Sequence, residues 1–171
     1  VSPGTVYATL QDRSQMRVDF RLSEQQAALI RSGLTVSVNP AETETPTEGD
    51  DVIRGTHGED VIDGGGGNDT ICGRGARDRI DGGAGRDRIF GGVCKDSLDS
   101  GGGGGLLAGN DGSDGLRGAA GSDNLRGGRG DDQLEGRAGN DNHDGGLGTD
   151  RCLGGPGIDT ATACEATVDI P

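Results

Sequence analysis

At 171 residues, with 37 glycines, 2% aromatic residues and no tryptophan, the chain cannot assemble a conventional core of large side chains. A formal net charge of -13 disfavours nucleic acid and anionic lipid as partners and favours cations. No apolar run approaches the roughly 18 residues of a membrane span, so membrane insertion is not expected either.

The first segment, residues 1–38, differs in composition from the rest of the chain. Val6, Ala8 and Leu10 alternate with polar residues, and so do Met16, Val18, Phe20 and Leu22 beyond the polar stretch from Gln11 to Ser14, which is a hairpin pattern. Ser23 and Gln26 form a capping-box pair ahead of Ala27, Ala28, Leu29 and Ile30. Gly33 stops that helix before Leu34, Val36 and Val38 resume alternation. The segment therefore reads ββαβ and is too short for a robust independent domain. It is expected to be either an N-terminal cap or the remnant of a β-sandwich. The chain opens at Val1 without a signal-like segment, as a mature or excised chain would.

Residues 39–49 carry two prolines and three glutamates with no apolar period, which predicts a linker running into a first, half-matching repeat. A period of nine then begins. Gly55-Thr-His-Gly58-Glu-Asp60-Val-Ile62-Asp63 is followed by Gly64-Gly-Gly-Gly67-Asn-Asp69-Thr-Ile71-Cys72, and the template G-G-x-G-x-D-x-U-x, with U a large aliphatic, holds across residues 46–162. Its sixth position carries Asp51, Asp60, Asp69, Asp78, Asp87, Asp96, Asp114, Asp123, Asp132, Asp141, Asp150 and Asp159, and fails only at Gly105. The eighth carries Ile53, Ile62, Ile71, Ile80, Ile89, Leu98, Leu107, Leu116, Leu125 and Leu134 before giving way to His143, Cys152 and Ala161. Two positions that keep one phase over so long a stretch exclude coincidence.

The nonapeptide resembles the RTX, or hemolysin-type, calcium-binding repeat. That resemblance implies an all-β fold, a right-handed parallel β-roll or β-solenoid. In each repeat the first six residues would form a calcium-binding turn and the last three a short strand, so that two repeats complete a coil. It also implies a site set for several calcium ions: the twelve sixth-position aspartates, with carbonyls of the glycine-rich turns at Gly55, Gly64, Gly73, Gly82, Gly109, Gly118, Gly127 and Gly136. The residue chemistry agrees, because oxygen ligands on a permissive backbone suit a hard cation that accepts irregular six- to eightfold coordination. With two repeats per coil the aspartates fall into two files of like charge, which repel at strand spacing unless cations lie between them. Ion binding is therefore expected to be coupled to folding.

Several positions depart from the template. Ala76 and Cys94 replace the fourth-position glycine, where a Cβ disfavours the dihedral a tight turn needs, and Arg77, Arg86 and Lys95 bring positive charge to the fifth position. In the repeat 100–108, Ser100 replaces the first glycine and Gly105 the aspartate, a one-sided weak seam that Gly105→Asp is expected to strengthen. Cys152 and Cys164 stand at a spacing suited to a disulfide that pins the last coil and point to an oxidising compartment, whereas no pairing is assigned to Cys72 and Cys94. The remaining nine residues, 163–171, read as a tail. His57 and His143 are the only histidines and read as structural, and no glycine-rich stretch is followed by the Lys-Ser/Thr of a phosphate loop. The sequence thus predicts a secreted calcium-binding module without enzymatic activity. The alternatives are a non-catalytic accessory domain of a secreted hydrolase or carbohydrate-modifying enzyme, or an adhesin or surface-layer segment, with any glycan or cell-surface partner unassigned.

Overall fold

The computed structural model describes residues 35–37, 48–168 and 170. All of them fall in Gly33–Pro171, the second of two units into which the chain divides. The hairpin and helix expected before Gly33, and most of the expected linker, lie outside the described residues.

In chain order the strands are β1 (Thr35–Ser37), β2 (Val52–Arg54), β3 (Val61–Asp63), β4 (Thr70–Arg74), β5 (Arg79–Asp81), β6 (Arg88–Val93), β7 (Ser97–Asp99) and β8 (Leu106–Asp111). They continue with β9 (Gly115–Arg117), β10 (Asn124–Arg129), β11 (Gln133–Glu135), β12 (Asn142–Leu147), β13 (Arg151–Leu153), β14 (Thr160–Thr162) and β15 (Ala166–Val168). No helix occurs among the described residues. Two sheets result, one ordered β1-β2-β4-β6-β8-β10-β12-β14 and the other β3-β5-β7-β9-β11-β13-β15. Every pairing is parallel, and within the array each residue faces the one two repeats on, as in Ile53↔Ile71 and Ile62↔Ile80. Successive repeats therefore enter opposite sheets, and two of them make a coil: the described residues form a parallel β-solenoid.

A three-residue strand shows why. Its seventh and ninth positions point outward and its eighth inward, so β2 and β3 each bury one side chain between two exposed ones. One aliphatic side chain cannot stabilise a strand, but stacked coils align them into a continuous file. Ile53, Ile71, Ile89, Leu107 and Leu125 form the file of the larger sheet, and Ile62, Ile80, Leu98, Leu116 and Leu134 that of the smaller, none more than 3% exposed. His143 takes the next place in the first file, fully buried, with Nδ1 3.2 Å from the Thr160 carbonyl. Cys152 extends the second file and is bridged to Cys164 across a Cα separation of 6.0 Å. Cys72, half-buried, and Cys94, exposed, are free thiols. Beyond the last repeat, in the stretch expected as a tail, β15 pairs with β13 through Cys152↔Thr167.

From Gly64 on, but not in the turn that starts at Gly55, the turns use left-handed backbone at their second and fourth positions, which in the fourth repeat of the register are Arg74 and Ala76, with φ of 90° and 65°. Cys94 adopts 79°. The two substitutions that put the turn in question thus keep its geometry, at about 1–2 kcal/mol of backbone strain each.

Candidate metal centre

Each sixth-position aspartate closes its turn just before a strand and points inward. All twelve are buried, between 1% and 5% exposed. From Asp69 onward one carboxylate oxygen, Oδ1, is used to join coils. It accepts the main-chain N–H of the sixth residue one coil earlier, from Asp51 to Asp69 at 2.8 Å, from Asp69 to Asp87 at 2.8 Å and from Asp60 to Asp78 at 2.9 Å. The same link runs from Asp114 to Asp132 and from Asp132 to Asp150. The carboxylates thus carry the hydrogen-bond ladder through the turn.

The other oxygen, Oδ2, turns toward the first glycine of its own repeat. A Cβ on Gly55 would stand 2.6 Å from Asp60 Oδ2 and 2.6 Å from the Gly73 carbonyl, and one on Gly118 would stand 2.8 Å from Asp123 Oδ2 and 2.7 Å from the Gly136 carbonyl. Glycine is required there because carboxylate and carbonyl oxygens already fill the space. In ten of the aspartates, Asp69, Asp78, Asp87, Asp96, Asp114, Asp123, Asp132, Asp141, Asp150 and Asp159, this Oδ2 is buried with no hydrogen-bond partner. Leaving so many charged acceptors dry and unpaired is costly. Asp60 is different, because Thr56 donates its N–H to Oδ2 at 2.7 Å and its hydroxyl lies 3.1 Å from Oδ1.

Electrostatics follow the same geometry. Loss of water on burial pushes the carboxyls of Asp69, Asp78 and Asp123 up to about 6 and those of Asp96 and Asp132 to about 7. The amide bond to Oδ1 opposes the rise and like charges on neighbouring coils add to it. Asp87, Asp114 and Asp141 are raised for the same leading reason, although the exposed Lys95 draws Asp114 back down. A cation is the partner that would relieve all of them.

The donor set tests which cation fits. No three carboxylate, imidazole or thiol groups converge among the described residues, so side chains alone form no cage. What recurs is a hard oxygen set, carboxylate Oδ2 beside a main-chain carbonyl, repeated coil after coil. That is calcium's preference, whereas zinc favours nitrogen and sulfur. The RTX calcium-binding nonapeptide repeat of hemolysin type matches the chain in four copies, over residues 46–80, 73–107, 108–142 and 144–161.

The chain belongs to the RTX calcium-binding repeat family. Its RTX array is a structural, calcium-binding β-roll. No curated protein and no solved structure matches it.

Within the RTX array the aspartates separate as their spacing predicts. Asp51, Asp69, Asp87, Asp123, Asp141 and Asp159 precede strands of the larger sheet, and Asp60, Asp78, Asp96, Asp114, Asp132 and Asp150 strands of the smaller. The eight glycines named with them are all buried. Gly91 and Gly145 occupy the same place and belong with them: a Cβ on Gly91 would meet Asp96 Oδ2 at 2.5 Å and the Gly109 carbonyl at 3.0 Å. Periodicity alone should have included both. Glu165 was not legible in that way. Its Oε2 accepts the Asp150 N–H at 2.6 Å, the role a sixth-position aspartate plays elsewhere, but it lies outside the nine-residue phase.

Proposed function

We propose that this chain is a secreted, non-catalytic module whose RTX array folds when it takes up several calcium ions. The observation that carries the reading is the set of ten buried, partnerless Oδ2 atoms aligned along two files. The residues that would hold the ions are the twelve sixth-position aspartates, Asp51 to Asp159, with the carbonyls of Gly55, Gly64, Gly73, Gly82, Gly109, Gly118, Gly127 and Gly136. Calcium, when bound, supplies the positive charge that lets the carboxylates stay ionised inside the roll. The chain's own residues do the rest: glycine opens the space, Oδ1 ties neighbouring coils together, and the aliphatic files hold the register.

Secretion is supported by the Cys152–Cys164 bridge, which persists in oxidising compartments, and by the abundance of calcium outside cells. Far-UV circular dichroism through a calcium titration tests the coupling. In chelator at neutral pH the array is expected to be largely disordered, and at roughly 10⁻⁴–10⁻³ M calcium to gain β signal. Magnesium should not substitute, since it demands stricter octahedral geometry and sheds water reluctantly. A strong β spectrum that excess chelator leaves unchanged would refute the reading.

A further inference from the structure

The repeat 100–108 departs from the template at two positions together, Ser100 for the first glycine and Gly105 for the aspartate. In the other repeats those two positions share one space. A Cβ at the first position would press on the aspartate Oδ2, at 2.6 Å for Gly82 and 2.8 Å for Gly118. At 105 there is no carboxylate, and the space is filled from the opposite side. The Ser100 side chain is buried, 1% exposed, and its Cβ lies 3.2 Å from where a Cβ on Gly105 would stand.

The hydroxyl is also partnered where the carboxylates are not. Ser100 Oγ donates to the carbonyl of Gly118, the first glycine one coil on, and lies 3.1 Å from Asp123 Oδ1. The link to the following coil survives, because the Gly105 N–H donates to Asp123 Oδ1 at 2.6 Å. Toward the preceding coil the carboxylate that would accept the Asp87 N–H is gone, and the bond from the Leu106 N–H to the Asp87 carbonyl at 2.8 Å holds the coils together. Leu107 keeps the core file closed with no exposure.

We infer that the Ser100–Gly105 pair is a cation-free joint, in which a serine hydroxyl fills and satisfies the cradle that elsewhere presents an unpaired carboxylate. The inference rests on the calcium reading above and deepens it, and it takes the Gly118 carbonyl, which the Ser100 hydroxyl occupies, out of that reading's ligand set. One file of aspartates is thereby divided, Asp51, Asp69 and Asp87 on one side of the joint and Asp123, Asp141 and Asp159 on the other, while the second file runs on through Asp96 and Asp114. The two substitutions are a matched pair. Gly105→Asp alone, the repair that the template suggests, drives a carboxylate into the Ser100 Cβ.

Three variants of the full chain test this: Ser100→Gly, Gly105→Asp and the double variant. Calcium uptake is read by titration calorimetry and stability by melting in saturating calcium. The double variant should take up an additional ion and melt higher than the parent. Gly105→Asp alone should gain no ion and melt lower. Ser100→Gly alone should bind as the parent does and melt about 2–4 °C lower, having lost the buried hydroxyl link. A Gly105→Asp variant that gains as much as the double variant, or a Ser100→Gly variant that melts as the parent does, overturns the pairing. A parent that binds calcium beside a double variant that gains nothing overturns the joint alone. A parent that takes up no calcium overturns the underlying reading and the joint with it.

Discussion

Changing pH should act on the array in opposite directions with and without calcium, because ten of its aspartates bury an Oδ2 that no donor satisfies. In the calcium-free fold, Asp69, Asp78 and Asp123 are raised from 3.8 to about 6 and Asp96 and Asp132 to about 7. A carboxyl raised on folding binds more protons folded than unfolded, so its contribution is fully present below 3.8 and is lost as pH climbs through about 6 to 7. The loss is at most about 3 kcal/mol for a group such as Asp69 and about 4 kcal/mol for one such as Asp96. A domain has about 5–15 kcal/mol in all, so a few such groups are enough to unfold the calcium-free array at neutral pH. With calcium the sign reverses, since the ionised carboxylates are the ligands and protons compete with the ion. Circular dichroism in chelator should therefore show β structure gained on acidification from about pH 8 to pH 4.5, and calcium midpoints should fall as pH rises from about 5.5 to 7.5. A chelator-treated chain that becomes more structured as pH rises through that range, or a calcium midpoint indifferent to pH, would refute the burial argument.

Two further expectations concern single residues. Gly91→Ala places a Cβ 2.5 Å from Asp96 Oδ2 and 3.0 Å from the Gly109 carbonyl, so it should weaken calcium uptake and lower the melting temperature. Gly102→Ala, whose Cβ would meet nothing nearer than 4.0 Å and whose bridge partners are Ala84 and Ala120, should do neither, and equal losses in the two variants would contradict the cradle. Cys152→Ser opens the bridge to Cys164 and puts a hydroxyl into the aliphatic file; a loss of about 2–4 kcal/mol in chemical denaturation is expected, with the C-terminal coil gaining amide exchange first. Exchange that begins instead at the coils around Leu107 would contradict the pinning role.

The repeat made the architecture readable because the same physics is written many times. One buried aliphatic per strand and one inward aspartate per turn appear as two columns in phase, and 18-residue pairing results once two repeats close a coil. What the columns hide is the interaction between them. That the first glycine yields its space to the aspartate Oδ2 is a contact inside one turn, invisible until the turn is folded. Ser100 and Gly105 therefore read as a weak seam that Gly105→Asp alone would repair, when they are one exchange. Glu165 escaped for a different reason, since the chain shortens its last coil and takes the acid from outside the period. The turn at Ala76 and Cys94 looked doubtful because sequence shows the cost of a Cβ at positive φ but not the coils above and below that impose it.

The alternation of repeats between two sheets gives the roll a parity. Removing or inserting 18 residues returns every later strand to its own side, as the Ile53↔Ile71 register shows. Nine residues more or fewer send every later strand to the opposite side, where the seam closes wherever both files present the same aspartate and aliphatic, as Asp123 with Leu125 and Asp132 with Leu134 do. Repeats that match the template are indifferent to that swap inside the roll, but the exterior is not. Arg117 lies between Asp99 and Glu135, at 3.3 Å and 3.5 Å, only because one coil separates each neighbour on the same outer face. Loss of a single repeat between 118 and 126 would carry Glu135 to the far face and leave Arg117 beneath a different residue. Length can thus drift by whole coils without disturbing the surface, whereas an odd repeat rewrites one face of the molecule and leaves the core of its template-matching repeats intact.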